Sequence, residues 1–246
     1  YIDSRIGEHK LESFNDEISQ RITLEEMENN FNSDFINNRI KKIDFESFYN
    51  ELQVRQKLKD CEEHTTPYVE KRMLDFSLDN MDDELVHRIK LEECEKINTS
   101  FVQKRIKRYI GKIHPDIEMT KRQILFESEK HTTRYVTERL KEYQPKEYRI
   151  DNHEDLYEDL QWRQDLEQCA LHQSSFIDQN LKFYKGRGVE ILSPTHELES
   201  RLTLEECEKF NTDYISRETA RLKDEYLIRD PQEELKHRMN LSFFEN

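Results

Sequence analysis

Two pairs of side chains in this sequence have the spacing that a metal site would use. Each pair is a cysteine followed three residues later by a histidine, namely Cys61 with His64 and Cys169 with His172. On a helix the two side chains would lie one turn apart, but zinc requires four such ligands in a tetrahedral array. Similar segments of the chain place Ile97 and Phe210 where the histidines stand. Because neither residue can bind a metal, we predict half-buried packing positions, with no metal and no cofactor.

The cysteines are also candidate nucleophiles, and there are four of them: Cys61, Cys94, Cys169 and Cys207. A reactive thiolate needs an electropositive and exposed setting, whereas Glu93 and Glu95 flank Cys94. Met27 and Ser128 stand at the equivalent places in other segments, so these positions accept small or adaptable side chains. We therefore expect the cysteines to fill the core.

Paired carboxylates could perform acid–base catalysis, which requires two carboxyl groups with separated pKa values in a cleft. The glutamates of this chain instead recur beside regularly spaced arginines, as in Arg88 with Glu92 and Arg201 with Glu205. These are i, i+4 pairs of the kind found on exposed helix faces. We therefore predict a solvated helix face, no catalytic residue and no enzymatic activity.

Three segments place an arginine between two aromatic residues, at positions i, i+4 and i+8, and a fourth keeps the rings but has Asn180 in place of arginine. The residues are Tyr68, Arg72, Phe76, Phe101, Arg105, Tyr109, Tyr135, Arg139, Tyr143, Phe176 and Tyr184. Arginine gains stability beside rings by cation–π contact, and both residue types are enriched in protein interfaces. They form either a candidate interface for a partner or seams between successive segments of the chain, and we prefer the seams.

These patterns belong to an internal repeat. One arginine per repeat, here called the anchor arginine, is found at Arg21, Arg55, Arg88, Arg122, Arg163, Arg201 and Arg238. Successive anchors lie 33 to 41 residues apart, and a leucine follows each anchor by three residues. Such self-similarity is the signature of a repeat architecture. The predicted repeats are 12–44, 45–78, 79–112, 113–148, 149–188, 189–228 and a truncated 229–246, in one elongated array that spans residues 1–246.

Each repeat has helical periodicity, with apolar residues three or four positions apart. Thr66 followed by Pro67 is typical of an N-cap and the first position of a new helix. We therefore predict an all-α fold of tandem αα-hairpins, each with a first helix of about 14 residues and a second of about 12, stacked as an α-solenoid. The alternative is a bundle of long kinked helices.

The composition limits the class of protein. Charged residues make up 37% of the chain and hydrophobic ones only 34%, whereas aromatic residues reach 10%. A disordered chain lacks aromatic residues, so an elongated helical protein with a thin core is indicated. The formal net charge of -14 argues against binding to nucleic acid or to an anionic membrane. No apolar run is long enough to span a membrane.

Two segments share a further pattern, Leu91-Glu-Glu-Cys94 with Phe101, Arg105 and Tyr109, and Leu58-Lys-Asp-Cys61 with Tyr68, Arg72 and Phe76. This pattern resembles the PDSW-type accessory subunits of mitochondrial complex I, which carry a Leu-x-x-Cys helix followed by a Tyr-containing helix. Arginine or asparagine stands where that family has a second cysteine, so the disulfides of the family cannot form here. The resemblance implies a non-catalytic subunit that faces the intermembrane space.

We expect a structural or scaffold subunit that binds other protein subunits of a large assembly. The setting would be a mitochondrial respiratory complex, on the intermembrane-space side, or a cytoplasmic, cytoskeletal or axonemal assembly. The alternative function is an α-solenoid adaptor that binds a peptide or a partner helix in a concave groove. Because the sequence begins at Tyr1 and not at Met, we expect a preceding segment, where any targeting peptide would lie.

Overall fold

The computed structural model describes residues 2–7, 13–78, 80–109, 113–143 and 153–245. These residues form fourteen α-helices and no β-strand, which confirms the all-α prediction. The helices are α1 (Ile2–Ile6), α2 (Phe14–Asn30), α3 (Asp34–Ile40), α4 (Phe48–Glu63), α5 (Pro67–Met73), α6 (Met81–Lys96), α7 (Ser100–Ile106), α8 (Pro115–Lys130), α9 (Arg134–Tyr143), α10 (His153–Leu171), α11 (Ser175–Gly186), α12 (Pro194–Lys209), α13 (Asp213–Asp224) and α14 (Pro231–Glu245).

From α2 onward, long and short helices alternate. The long helices, which carry the anchor arginines, have 15 to 19 residues, and the short helices have 7 to 12. The long helices therefore exceed the predicted length of about 14, and three of the short ones stop well before the predicted 12. Three non-helical residues separate each long helix from the short helix that follows it.

A capping hydroxyl makes the break between each long helix and the short helix that follows it in the same repeat. The backbone of Thr66 is extended, with φ −111° and ψ 164°, and its side-chain oxygen accepts a hydrogen bond of 3.1 Å from the N–H of Val69. Pro67 follows as the first residue of α5, so α4 and α5 are separate helices and not one kinked helix. Equivalent caps precede other short helices at Ser33, Thr99, Thr133, Ser174 and Thr212.

The chain forms two compact units. The first comprises Tyr1–Asn98 with Tyr109–Arg122, and the second comprises Thr99–Arg108 with Gln123–Asn246. One core cluster of the first unit consists of Ile6, Leu24, Met27, Phe48 and Leu52. Clusters of the second unit consist of Val136, Leu140 and Leu166, and of Ile177, Leu181, Tyr184, Leu204, Cys207 and Ile228.

The repeat pattern identifies core positions correctly. The leucine three residues after the anchor is at most 2% exposed in six repeats, at Leu24, Leu58, Leu91, Leu125, Leu166 and Leu204. The repeat boundaries predicted at 44/45, 188/189 and 228/229 fall between helices. Those placed at residues 12, 79, 112, 148 and 149 lie outside the described residues.

Candidate functional site

The anchor arginines of the second to seventh repeats are buried. Arg88 is 1% exposed, and its Nε donates to Glu84, four residues earlier, at 2.8 Å. The predicted exposed pairs of Arg88 with Glu92 and of Arg201 with Glu205 are therefore wrong. Glu92 instead contacts His64 and Lys96, and Glu205 contacts His172. We call the acid four residues before each anchor the partner carboxylate. The partner carboxylates are Glu17, Glu51, Glu84, Glu118, Asp159, Glu197 and Glu234.

The cluster around Glu118 shows the arrangement most completely. Glu118 is fully buried, and its Oε1 accepts hydrogen bonds from the Tyr68 hydroxyl and, at 2.9 Å, from Nε of Arg122. Its Oε2 accepts from Nη2 and Nε of Arg72 at 2.9 and 3.2 Å. The Tyr68 hydroxyl also accepts from Nη2 of Arg122 at 3.0 Å. One buried carboxylate thus joins a short helix, α5, to a long helix two repeats later, α8.

The same link recurs within each unit. A cation from a short helix reaches the partner carboxylate two repeats later in five clusters: Arg5 with Glu51, Arg39 with Glu84, Arg72 with Glu118, Arg105 with Asp159, and Arg139 with Glu197. In the cluster at Glu234, Asn180 stands where these five clusters have an arginine. Lys223 of α13 supplies the cation, and its Nζ lies 2.7 Å from the carboxylate. Asn180 accepts a hydrogen bond from that same ammonium group at 2.5 Å.

In four repeats the aromatic residue at the start of the short helix lies beside an anchor arginine from two repeats later: Phe35 with Arg88, Tyr68 with Arg122, Phe101 with Arg163, and Phe176 with Arg238. The Arg122 guanidinium lies 5.3 Å from the Tyr68 ring, and that of Arg163 lies 5.7 Å from Phe101. The second aromatic residue does not always share the helix, because α5 ends at Met73 and α7 at Ile106. The predicted i, i+4, i+8 face is therefore wrong for Phe76 and Tyr109, which lie beyond the ends of those helices.

The eleven residues of the candidate interface lie in several separate clusters. Arg72 and Tyr184 are buried, and the other nine are half-buried. Tyr68, Arg72 and Phe76 gather near Glu118; Phe101 and Arg105 near Asp159; Arg139 and Tyr143 at Glu197; Tyr184 at Glu234; Phe176 under Arg238; Tyr109 beside Lys121; and Tyr135 near Arg201. Contacts within the chain account for all of them, which favours the interpretation as seams.

The pKa shifts in these clusters favour lasting hydrogen bonds and ion pairs at neutral pH. Burial raises the pKa of the Tyr68 hydroxyl, and its hydrogen bond to Glu118 raises it further. Burial alone would raise the pKa of Glu197, but the hydrogen bond from Tyr143 and the charge of Arg139 outweigh it and lower that pKa. At neutral pH the tyrosines are therefore protonated donors, and Glu197 is an ionised acceptor.

Histidines and capping hydroxyls add a second set of links between adjacent repeats. His64 lies 2.7 Å from Glu92, and the Thr66 hydroxyl donates to Glu95 at 2.6 Å. The corresponding pairs elsewhere are His131 with Glu167, His172 with Glu205, Thr99 with Glu129, Ser174 with Glu208, and Thr212 with Glu245.

The four cysteines are free and fully buried. Burial raises the pKa of Cys61 to about 11 and that of Cys94 to about 12. The thiolate, which is the nucleophilic form, is therefore scarce at neutral pH. Their placement agrees with the prediction that these side chains fill the core.

A cleft of about 770 Å³ in the first unit is the kind of opening that a peptide adaptor would use. Its lining includes Arg5, Glu51 and Arg55. Arg5 and Arg55 both already bond to Glu51, since Nη2 of Arg5 lies 2.5 Å and Nε of Arg55 lies 2.8 Å from its carboxylate. One wall of the cleft is therefore another partner-carboxylate cluster.

Two features of the site could have been predicted from the sequence but were not. An acid precedes the anchor by four residues in all seven repeats, whereas an acid follows it by four in only four of them. In addition, Ile2 and Arg5 match the Val69 and Arg72 positions of a short helix. The structure bears this out, because Arg5 of α1 contacts Glu51 as Arg72 contacts Glu118.

No family model, no curated protein and no solved structure matches the chain. The resemblance to PDSW-type subunits stays a prediction. Within the described ranges, no helix is long and apolar enough to cross a membrane. In that same part of the chain, His, Cys, Asp and Glu side chains form no group of three that could hold a metal ion.

Proposed function

We propose that this protein is a non-catalytic structural scaffold, whose αα-hairpins stack in tandem as an elongated α-solenoid and bind other subunits of a large assembly. The observation that supports this proposal is the recurring partner-carboxylate cluster, which in five places ties a short helix to a long helix two repeats away. The conspicuous charged and aromatic residues are thereby used for contacts between hairpins.

The clusters would make such an array stiff. α5 contacts α6 through Thr66 and Glu95, and α8 through Arg72 and Glu118, so three successive hairpins are linked. Separating a buried ion pair leaves an uncompensated charge and costs about 3–5 kcal/mol. A hairpin therefore cannot turn against its neighbours without breaking strong contacts. A stiff array holds its surface side chains at defined spacings, which is what a scaffold requires.

The setting we propose is a mitochondrial respiratory complex or a ciliary or cytoskeletal assembly. The resemblance to PDSW-type subunits favours the first. The unequal repeat lengths, 33 to 41 residues between anchors, also favour contacts particular to one complex over a regular filament lattice.

The stacking is tested by small-angle X-ray scattering on the dilute monomer. A compact domain of 246 residues has a radius of gyration of about 18 Å. We expect a clearly larger value for the stacked array, and a value near that of a compact domain would contradict it.

The scaffold function is tested by native purification from the source, followed by mass spectrometry of the proteins that co-migrate. We expect stable co-migration with respiratory-chain or axonemal proteins. The control is to repeat the purification with a tag at the other end of the chain, which should give the same co-migrating proteins. A chain that migrates free of other proteins would refute the scaffold and favour the peptide adaptor.

A further inference from the structure

The cluster at Glu234 combines side chains that could react with one another. Lys223 of α13 and Asn180 of α11 stand together there, whereas five other clusters use a short-helix arginine. The guanidinium group of arginine stays protonated in proteins, but the amine of lysine becomes a nucleophile once it loses its proton. The side chain of asparagine ends in a carboxamide, whose carbon an amine can attack. This cluster therefore brings together an amine, a carboxamide and a carboxylate.

The amine and the carboxamide are already in contact. Nζ of Lys223 donates to Oδ1 of Asn180 at 2.5 Å. Because Oδ1 is bonded to Cγ at about 1.2 Å, Cγ lies at most about 3.7 Å from the amine nitrogen. Atoms that are about to react are typically held about 3–3.5 Å apart. The amine therefore needs little movement, together with a rotation of the carboxamide that turns its face toward Nζ.

Glu234 is placed to accept a proton from the amine. Its Oε2 lies 2.7 Å from Nζ of Lys223 and also accepts a hydrogen bond from the Tyr184 hydroxyl at 2.7 Å. Its Oε1 accepts from Nε of Arg238 at 2.8 Å. Glu234 is fully buried, and a buried carboxylate needs a paired cation. Arg238 would still supply that cation after Lys223 became a neutral amide.

The surroundings of the amine favour its neutral, nucleophilic form. Lys223 is 8% exposed, and its Nζ lies 5.3 Å from the ring centroid of Phe183 and 5.2 Å from that of Tyr184. Burial lowers the pKa of Lys223, and the charge of Arg238 lowers it further, against the opposing effect of Glu234. The amine therefore loses its proton more readily than that of an exposed lysine.

We propose that Lys223 and Asn180 form an isopeptide bond that joins α13 to α11 covalently. The Lys223 ammonium group gives one proton to Glu234, and the neutral amine then attacks Cγ of Asn180. A second proton moves from the attacking nitrogen to Nδ2, the bond between Cγ and Nδ2 breaks, and ammonia leaves. The ammonia takes up the proton held by Glu234 and departs as ammonium. No atom is oxidised or reduced, and no co-reactant is needed.

The bond would act once in the life of each chain. The reaction has no turnover, so it is not an enzymatic activity, and it goes beyond the proposed scaffold function without depending on it. An amide bond between α11 and α13 would persist under conditions that separate ion pairs, such as acid or denaturant.

The test is mass spectrometry of the purified chain after prolonged incubation at neutral pH. The intact mass should be lower than the sequence mass by that of one ammonia. Trypsin cleaves after lysine and arginine, so the digest should contain peptide 164–182 joined to peptide 222–229, in which the amide protects Lys223 from cleavage. A wild-type chain that keeps its full mass would overturn the proposal. Loss of ammonia without the joined peptide would also overturn it, because asparagine can lose ammonia by cyclising on the backbone.

Variants identify the two reacting groups. Lys223→Arg keeps a cation beside Glu234 but has no amine, and Asn180→Ala has no carboxamide, so both should keep their full mass. Lys182→Arg is the matched control, because it makes the same change at an exposed lysine of α11 and should form the bond like wild type. Circular dichroism should show equal helicity for all of these proteins. A joined peptide that persists in Lys223→Arg or Asn180→Ala would overturn the assignment.

Glu234→Gln tests the proton transfer. Glutamine keeps the size of the side chain but cannot take up the proton of the ammonium group. Both reacting groups remain, so the joined peptide should form more slowly than in wild type. An unchanged rate in a variant with wild-type helicity would refute the role of Glu234.

Discussion

Replacement of one partner carboxylate by its neutral amide isolates the contribution of charge to the interior of this protein. In Glu118→Gln the side chain keeps its size, but Arg72 and Arg122, which are 3% and 1% exposed, lose their buried counter-charge. One of the two acceptor oxygens also becomes an amino group, which faces donors already present. Breaking a buried pair in this way costs about 3–5 kcal/mol, so we expect the free energy of unfolding to fall by that amount.

Glu17→Gln is the matched control, because it makes the same chemical change at the same repeat position. The side chains of Glu17 and Arg21 are 33% and 44% exposed, so water solvates both groups when their contact is lost. Exposed ion pairs contribute little to stability. We therefore expect a much smaller effect than at Glu118.

The assay is urea unfolding followed by far-ultraviolet circular dichroism for the wild type and both variants. Hydrogen exchange of the backbone amides then locates the effect, which should be strongest in α5 and α8, the helices that Glu118 joins. Equal losses of stability in the two variants would refute the reasoning. Weakened protection spread evenly over the chain would refute the assigned link between α5 and α8.

Three further predictions concern pH, backbone and caps. The pKa of Glu197 is lowered in the folded protein, so the stability that its ionised form provides is complete above the ordinary glutamate pKa and is lost as the pH falls through the lowered value. The urea midpoint should therefore fall between pH 7 and pH 3, and this fall should be smaller in Glu197→Gln. Gly188 has φ +90°, so Gly188→Ala should lower the free energy of unfolding, measured by thermal denaturation, by about 1–2 kcal/mol. Gly186 lies in open space at the end of α11, so Gly186→Ala should raise the same free energy by up to about 1 kcal/mol. Thr66→Ala removes the cap that accepts from Val69 and should cost about 1 kcal/mol in chemical unfolding, with Thr66→Ser close to wild type.

The sequence was sufficient to predict a break between two helices where local chemistry determines the backbone. Thr66 followed by Pro67 can begin a helix but fits poorly inside one, so the break between α4 and α5 needed no tertiary information. The ends of the short helices were harder to predict. No Gly or Pro marks the end of α5 at Met73, so the sequence has no local signal for where this helix stops.

The inward direction of the anchor arginines was missed for a different reason. Residues four before and four after an arginine are both neighbours on a helix surface, so spacing alone does not choose between Glu84 and Glu92 as the partner of Arg88. Comparison of all seven repeats would have identified Glu84 as the partner, because the residue four before the anchor is acidic in every repeat. Single-repeat reasoning also treats arginine as a surface residue, which holds for most proteins and fails here.

The unusual composition of the chain follows from this interior. Buried charges are tolerated only when each is paired and hydrogen-bonded, and the partner carboxylates meet that condition with cations from two helices. The cluster at Glu234 shows that the buried carboxylate needs a positive charge beside it, but that this charge can come from a different residue on a different helix. Asn180 cannot supply a cation there, and Lys223 supplies it from a different helix while also bonding to Asn180. Ionic contacts between the helices of different repeats thus replace part of the apolar core, which explains how a chain with 34% hydrophobic and 37% charged residues forms packed helices.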